Sequence, residues 1–318
     1  MAINRIAIIG TGVIGAGWTS RLLAHGKEVI AYDPIAGFKD QLLRKVESSW
    51  PILEKRALSP NASLDNLTYA LSLEEACGQA DLIQENAPEN IDVKKSLHKE
   101  IESHARDDTI IASSSSGLLP TEIQSVYQKP GRLVIAHPFN PVYMLPLVEI
   151  VGGISTTTET IETAKTFYAE IGMKPLHVRK EIEGYLSDRL QEALWREILH
   201  LVNDDIATTG ELDDAITYGP GLRWAIMGTC LTFHLAGGDN GMRHMLEQFG
   251  PALKLPWTKL EAPELSTSLI DKMVSGTAEQ AGGSSIDELE RLRDNCLHEI
   301  MLALEKFEVG AGTMSSKK

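Results

Sequence analysis

The branched apolar run Arg5–Ile9 (RIAII) is followed at once by GTGVIG over Gly10–Gly15. A stretch apolar at every residue reads as a strand buried on both faces, as in a parallel sheet. From Val13 to His25 the pattern turns helical, with Gly26 as a stop. Glycines spaced in this way between a strand and a helix make the phosphate turn of a dinucleotide-binding unit. Gly10 allows the tight turn, Gly12 lets a pyrophosphate approach the backbone, and Gly15 lets helix and strand pack closely. The phosphate then meets the start of the helix, at Val13 and Ile14. The next strand, Glu28 to Tyr32, ends in Asp33, where a ribose-binding carboxylate belongs. An acid there repels a 2′-phosphate, so NAD is expected over NADP. The competing reading is a glycine turn in an α/β domain that binds no nucleotide.

Further strands are predicted at Leu67–Leu71, Leu82–Ile83, Thr109–Ala112, Leu133–Ala136, near Leu147 and at Leu176–Val178, with helices at Phe38–Lys55 and Leu73–Cys77 among them. In an open α/β sheet the carboxyl ends of the strands line the ligand crevice. Glu89 and Lys94 follow one such end, either to meet the cofactor at its nicotinamide end or to open a solvated helix. Ser113–Ser116 follow the next end and His137 the one after. An imidazole can take a proton from a hydroxyl if a carboxylate holds its other nitrogen, and Glu149 is the candidate. Pro138, Pro141 and Pro146 make a helix between the two improbable, so two facing strands are expected. A histidine satisfied only structurally is the alternative.

Beyond Lys180 the apolar spacing is helical to the end. Helices are expected at Gly184–Ala207, Glu211–Tyr218, Trp224–Leu235, Gly241–Phe249, Ser266–Ala278 and Ile286–Phe307. The fold class is therefore α/β, a doubly wound Rossmann-type sheet over 1–182 followed by an all-α substrate and dimerisation domain over 183–309. Residues 310–318 are expected as a disordered tail. The last helix carries one apolar stripe, Ile286, Leu289, Leu292, Cys296 and Ile300, which fits either core packing or a second copy in a homodimer.

A net charge of −14 argues against nucleic acid, whose affinity comes from neutralised phosphates. Cys77, Cys230 and Cys296 are too scattered for a disulfide framework or a metal site. No apolar run has membrane length and no leader pattern precedes Arg5, so a cytoplasmic protein with no membrane contact and no metal is expected.

The GTGVIG turn, SSSSGL, HPFNPVYMLPLVEI and EGYLSDRL, in that order and at these spacings, resemble the 3-hydroxyacyl-CoA dehydrogenase superfamily across nearly the whole chain. The resemblance implies that His137 and Glu149 form a catalytic pair. It also implies that Ser116 and Asn140 serve the substrate oxygen, and that Glu89 and Lys94 contact the cofactor. One departure stands out: the family's asparagine at the start of the helical half is Asp188 here, which loses two donors and gains a charge. Gly219–Gly238 resembles the branch that oxidises small 3-hydroxy acids without coenzyme A. Carnitine is the expected substrate, ahead of L-gulonate or a 3-hydroxyacyl-CoA. Its trimethylammonium would suit aromatic faces and a carboxylate. Tyr185, Trp195, Trp224 and Phe233, with Asp188, are the candidates, although each aromatic is more often core than cage. Arg189 and Arg223 are candidates for the substrate carboxylate, or structural ion pairs. The alternative of another class is a non-catalytic NADH-binding protein of the crystallin kind.

Overall fold

The computed structural model describes residues 3–56, 58–225, 227–237, 239, 241–260, 266–272, 282–309 and 311–313. Its strands are β1 (Arg5–Ile9), β2 (Glu28–Tyr32), β3 (Leu67–Tyr69), β4 (Leu82–Glu85), β5 (Ile110–Ser113), β6 (Leu133–Pro138), β7 (Leu147–Val151) and β8 (Lys174–Val178). They form one sheet in the order β3-β2-β1-β4-β5-β6-β7-β8. Every neighbouring pair is parallel except β6 and β7, which run antiparallel.

The strands alternate between two cores, so their uniformly apolar sequences are used on both faces. Ile6, Ile8, Leu82, Val134 and Val148 pack under α1 (Val13–Ala24), α2 (Phe38–Lys55) and the helix Thr158–Glu170. Ala7, Ile9, Ile83, Ile111 and Ile135 pack on the other side, under Leu73–Gly78, Ile91–His104 and Pro120–Gln124. Strand β1 pairs with β2 on one side and β4 on the other, so the connections change direction there. A crevice opens at the carboxyl ends of the strands on either side of such a point.

The chain divides into compact units at Met1–Asp188 and Arg189–Lys318. The expected helix 184–207 begins only at Ser187 and ends at Asn203. Gly184 and Tyr185 at one end (φ 71° and 45°) and Asp205 at the other (φ 54°) are left-handed, which a right-handed helix excludes. The second unit continues with helices Thr209–Thr217, Gly221–Trp224, Thr229–Ala236, Gly241–Phe249 and Ile286–Lys306. Two of these are closed by capping boxes, Thr208 with Glu211 and Ser285 with Glu288. The helix expected over Trp224–Leu235 begins only at Thr229, where an extended Gly228 caps it, and Trp224 instead ends the short helix Gly221–Trp224. Of the helix expected at Ser266–Ala278, residues 267–272 are helical and 273–278 lie outside the described residues. In the expected tail, 311–313 form a 3-10 turn, and 310 and 314–318 lie outside the described residues.

Candidate active site

The three turn glycines are needed for different reasons. Gly10 has φ +88°, and a Cβ there would lie 2.8 Å from the Asn86 carbonyl oxygen. A Cβ on Gly15 would lie 2.0 Å from the Gly10 carbonyl oxygen, so helix and strand could not pack. Among the described residues, a Cβ on Gly12 would meet nothing within 4 Å. The protein's own packing therefore does not require glycine there, but a pyrophosphate drawn against the backbone does. Among the described residues no side chain caps α1, which leaves its first amides to an anion. Asp33 is fixed at this turn: Oδ2 accepts from the Thr11 amide (2.8 Å) and hydroxyl (3.1 Å), and Oδ1 from the Ile35 amide (3.0 Å). The open cradle, bare helix start and anchored carboxylate fit the pyrophosphate and ribose of NAD.

On the other side of the crevice, antiparallel pairing sets His137 directly opposite Glu149. Nδ1 of His137 lies 3.0 Å from Oε2 of Glu149, whose Oε1 accepts from the Leu186 and Ser187 amides, each at 3.0 Å. Burial pushes the Glu149 pKa up, but His137 and then the Ser187 and Leu186 amides outweigh it and hold the carboxyl below its ordinary value. A carboxylate at Nδ1 assigns the ring proton to that atom, so Nε2 is the nitrogen that exchanges a proton. Phe139 and Tyr185 flank the imidazole, with ring centroids at 5.2 and 5.6 Å. Oδ2 of Asp188 is 3.6 Å from Nε2. That is within ion-pair range of an imidazolium and too long for a strong hydrogen bond.

The serine run mostly faces inward. Ser113 donates to Glu85, and Ser114 accepts from Trp18 and Gln84 while donating to Asn86. Ser115 donates to Glu89 (2.6 Å), leaving Ser116 exposed at the end of the run. Oε1 of Glu89 also accepts from the amides of Ser116, Gly117 and Leu118, so it shapes the loop that presents Ser116. Asn140 is likewise exposed, in the loop between β6 and β7.

Two expectations need correction. Lys94 neither opens a solvated helix nor reaches toward a ligand. It is 1% exposed, with Nζ 2.9 Å from Glu85, 3.1 Å from the Ala87 carbonyl and 3.7 Å from Glu89. Tyr185 is fully buried and its hydroxyl donates to the Leu118 carbonyl (2.8 Å), so it backs the imidazole and does not face a substrate cation. In the helical unit, Arg189, Trp195, Arg223, Trp224 and Phe233 are all exposed, so none of these aromatics is core.

Glu85 was not singled out from the sequence. It takes Lys94, Ser113, the Ala87 amide and His98, whose other ring nitrogen meets Tyr127. Burial works against its charge, but His98 and Lys94 bring its pKa down to about 2. A charged residue ending the buried strand LIQE was the available signal. Among the described residues, no group of His, Cys, Asp or Glu is suited to hold a metal ion, and no helix is long and apolar enough to cross a membrane.

Residues 5–182 match the profile of the 3-hydroxyacyl-CoA dehydrogenase NAD binding domain, and 184–285 that of the 3-hydroxyacyl-CoA dehydrogenase C-terminal domain. The chain is 56% identical to an L-carnitine dehydrogenase of Pseudomonas putida, over 98% of this chain and 97% of that one. It is 55% identical to an L-carnitine dehydrogenase of Oceanobacillus iheyensis, over 96% and 99%. Among solved structures, the 5-formyl-3-hydroxy-2-methylpyridine 4-carboxylic acid 5-dehydrogenase, an NAD+-dependent dismutase, superposes with a TM-score of 0.80 at 26% identity. That match covers 96% of this chain and 99% of that one.

Proposed function

The chain belongs to the 3-hydroxyacyl-CoA dehydrogenase family as an NAD-dependent 3-hydroxy-acid dehydrogenase, and from that premise we propose that its substrate is L-carnitine, oxidised at the 3-hydroxyl to 3-dehydrocarnitine. Nε2 of His137 takes the hydroxyl proton. Glu149, held by two backbone amides, keeps the ring oriented and balances the imidazolium as it forms. Ser116 and Asn140 are read as the groups that hold the oxygen as it becomes a carbonyl. Gly10–Gly15 and Asp33 would hold NAD, which would supply the acceptor for the hydride leaving C3. Glu89 is read as the cofactor contact at the nicotinamide end, with Lys94 holding it from behind.

The observation that carries the substrate reading is the carboxylate of Asp188, 3.6 Å from Nε2 and about a third exposed. In carnitine the ammonium nitrogen is two bonds from the carbinol carbon. A hydroxyl on Nε2 therefore puts the cation within range of that carboxylate. The two relatives named L-carnitine dehydrogenase support the same reading. The exposed Arg189 and Arg223 are candidates for the substrate carboxylate, and the exposed Trp195, Trp224 and Phe233 for the methyl groups of the cation. The test is NADH formation from L-carnitine, L-gulonate and 3-hydroxybutyryl-CoA. L-carnitine is expected to give the highest kcat/KM, and a higher value for either alternative rejects the assignment.

We also read the enzyme as a homodimer. Leu292, Cys296 and Ile300, from the expected apolar stripe of Ile286–Lys306, are exposed on the single chain, and a second copy would cover them. Sedimentation at a single-chain mass would overturn this.

A further inference from the structure

Arg21, in the last turn of α1, is buried and makes hydrogen bonds only to backbone carbonyls among the described residues. Nε donates to Val142 (2.7 Å), Nη2 to Leu145 (3.2 Å), and Nη1 to Ile171 (3.1 Å) and Gly172 (3.2 Å). Burial, aided by the like charge of Arg56, pushes its pKa down, yet a guanidinium starts high enough to keep its proton. Val142 and Leu145 belong to the loop that joins β6 to β7, and so to the hairpin carrying His137, Asn140 and Glu149. Ile171 and Gly172 lie just before β8, which pairs with β7. The loop is itself a firm turn, since the amides of Met144 and Leu145 both donate to the Pro141 carbonyl at 2.9 Å. One turn before Arg21, α1 touches the same loop: a Cβ on Gly17 would lie 2.9 Å from Cβ of Val142.

An apolar side chain could fill this space without the cost of burying a charge. A planar fork can also hold several carbonyls in fixed directions, which neither an apolar group nor a lysine can do. We propose that Arg21 is a positioning residue for the dehydrogenation, fastening the closed end of the His137–Glu149 hairpin to the helix whose start takes the cofactor's pyrophosphate. The proton acceptor and the helix that would hold the cofactor then belong to one rigid piece, although they are far apart in sequence. The proposal rests on the hairpin reading given above.

The test uses the full-length chain with Arg21→Lys and Arg21→Ala. A slip of about 1 Å at the reacting groups costs on the order of a hundredfold, so Arg21→Lys should lose roughly 10- to 100-fold in kcat. Its dissociation constant for NADH, from fluorescence titration, should stay near the parent's. Guanidinium chloride at millimolar concentration should restore part of kcat in Arg21→Ala, where equal sodium chloride does not. Parent-like kcat in a folded Arg21→Lys overturns the proposal. So does a loss of kcat matched by an equal loss of NADH affinity, or a folded Arg21→Ala that guanidinium fails to rescue. If Arg21→Ala does not fold, Arg21→Lys decides alone. If His137→Ala turns over normally, the hairpin reading and the clamp fall together. If His137→Ala is inactive and Arg21→Lys is normal, only the clamp falls.

Discussion

Replacing Asp188 by asparagine keeps the size of the side chain and removes its charge, which separates a cation-binding role from a structural one. With the substrate hydroxyl on Nε2 of His137, an assumed separation of about 5 Å between the ammonium and this carboxylate sets the scale of their attraction. At an effective dielectric of about 20 to 40, two unit charges at that distance attract by roughly 2 to 3 kcal/mol. Asp188 is 32% exposed, and solvent screening reduces the net to about 1 to 2 kcal/mol. Each 1.4 kcal/mol is tenfold, so Asp188→Asn should raise the KM for L-carnitine about 5- to 30-fold. The control is 3-hydroxybutyrate, which keeps the carbinol and carboxylate and lacks the ammonium. Initial rates of NADH formation over both substrate ranges give the two KM values. If Asp188→Asn changes both by the same factor, the carboxylate serves the histidine or the fold, and the reasoning from Asp188 to a cationic substrate is wrong.

Asp33→Ala should weaken NAD binding and narrow the preference over NADP in competitive titrations, and an unchanged preference removes Asp33 from the ribose site. His137→Ala should lose roughly a hundred- to ten-thousand-fold in kcat with NADH affinity intact, and a near-normal rate would put the proton transfer elsewhere. Glu149 has a lowered pKa in the fold, so its ionised form contributes stability above the ordinary carboxylate range, and this is lost as pH falls through the folded value. The melting temperature of the parent should therefore exceed that of Glu149→Gln at pH 7, with the gap closing in acid, and a gap that widens in acid would refute the sign. Glu85→Gln removes the nearer and fully buried of the two carboxylates at Lys94, which should cost about 3 to 5 kcal/mol in urea unfolding, and a loss below about 1 kcal/mol would mean that Glu89 or water replaces Glu85.

The glycine turn, the eight strands and the helical second half were legible because each rests on local pattern: apolar runs, 3.6-residue periodicity, and glycine where a Cβ cannot fit. His137 and Glu149 were also legible as partners, since three prolines left little but a hairpin and an antiparallel hairpin sets residues opposite one another. The start of the helix at Ser187, expected at Gly184, and the non-helical stretch before Thr229 were missed, because a left-handed Tyr185 and an extended Gly228 leave no mark on an apolar pattern.

What the sequence determined by itself was the order of elements and the residue types at the carboxyl ends of the strands. What only the tertiary structure decided was which charges are sealed in and what they touch. Lys94 and Glu89 stand on one helix start, yet Lys94 is buried against Glu85 while Glu89 turns to the serine loop. Arg21 has the look of a solvent-side cation in a helical pattern until β6, β7 and β8 bring four carbonyls around it. Local preference acts over a few residues and is written in composition and spacing. The environment of a buried charge is set by segments that meet only after the sheet has formed.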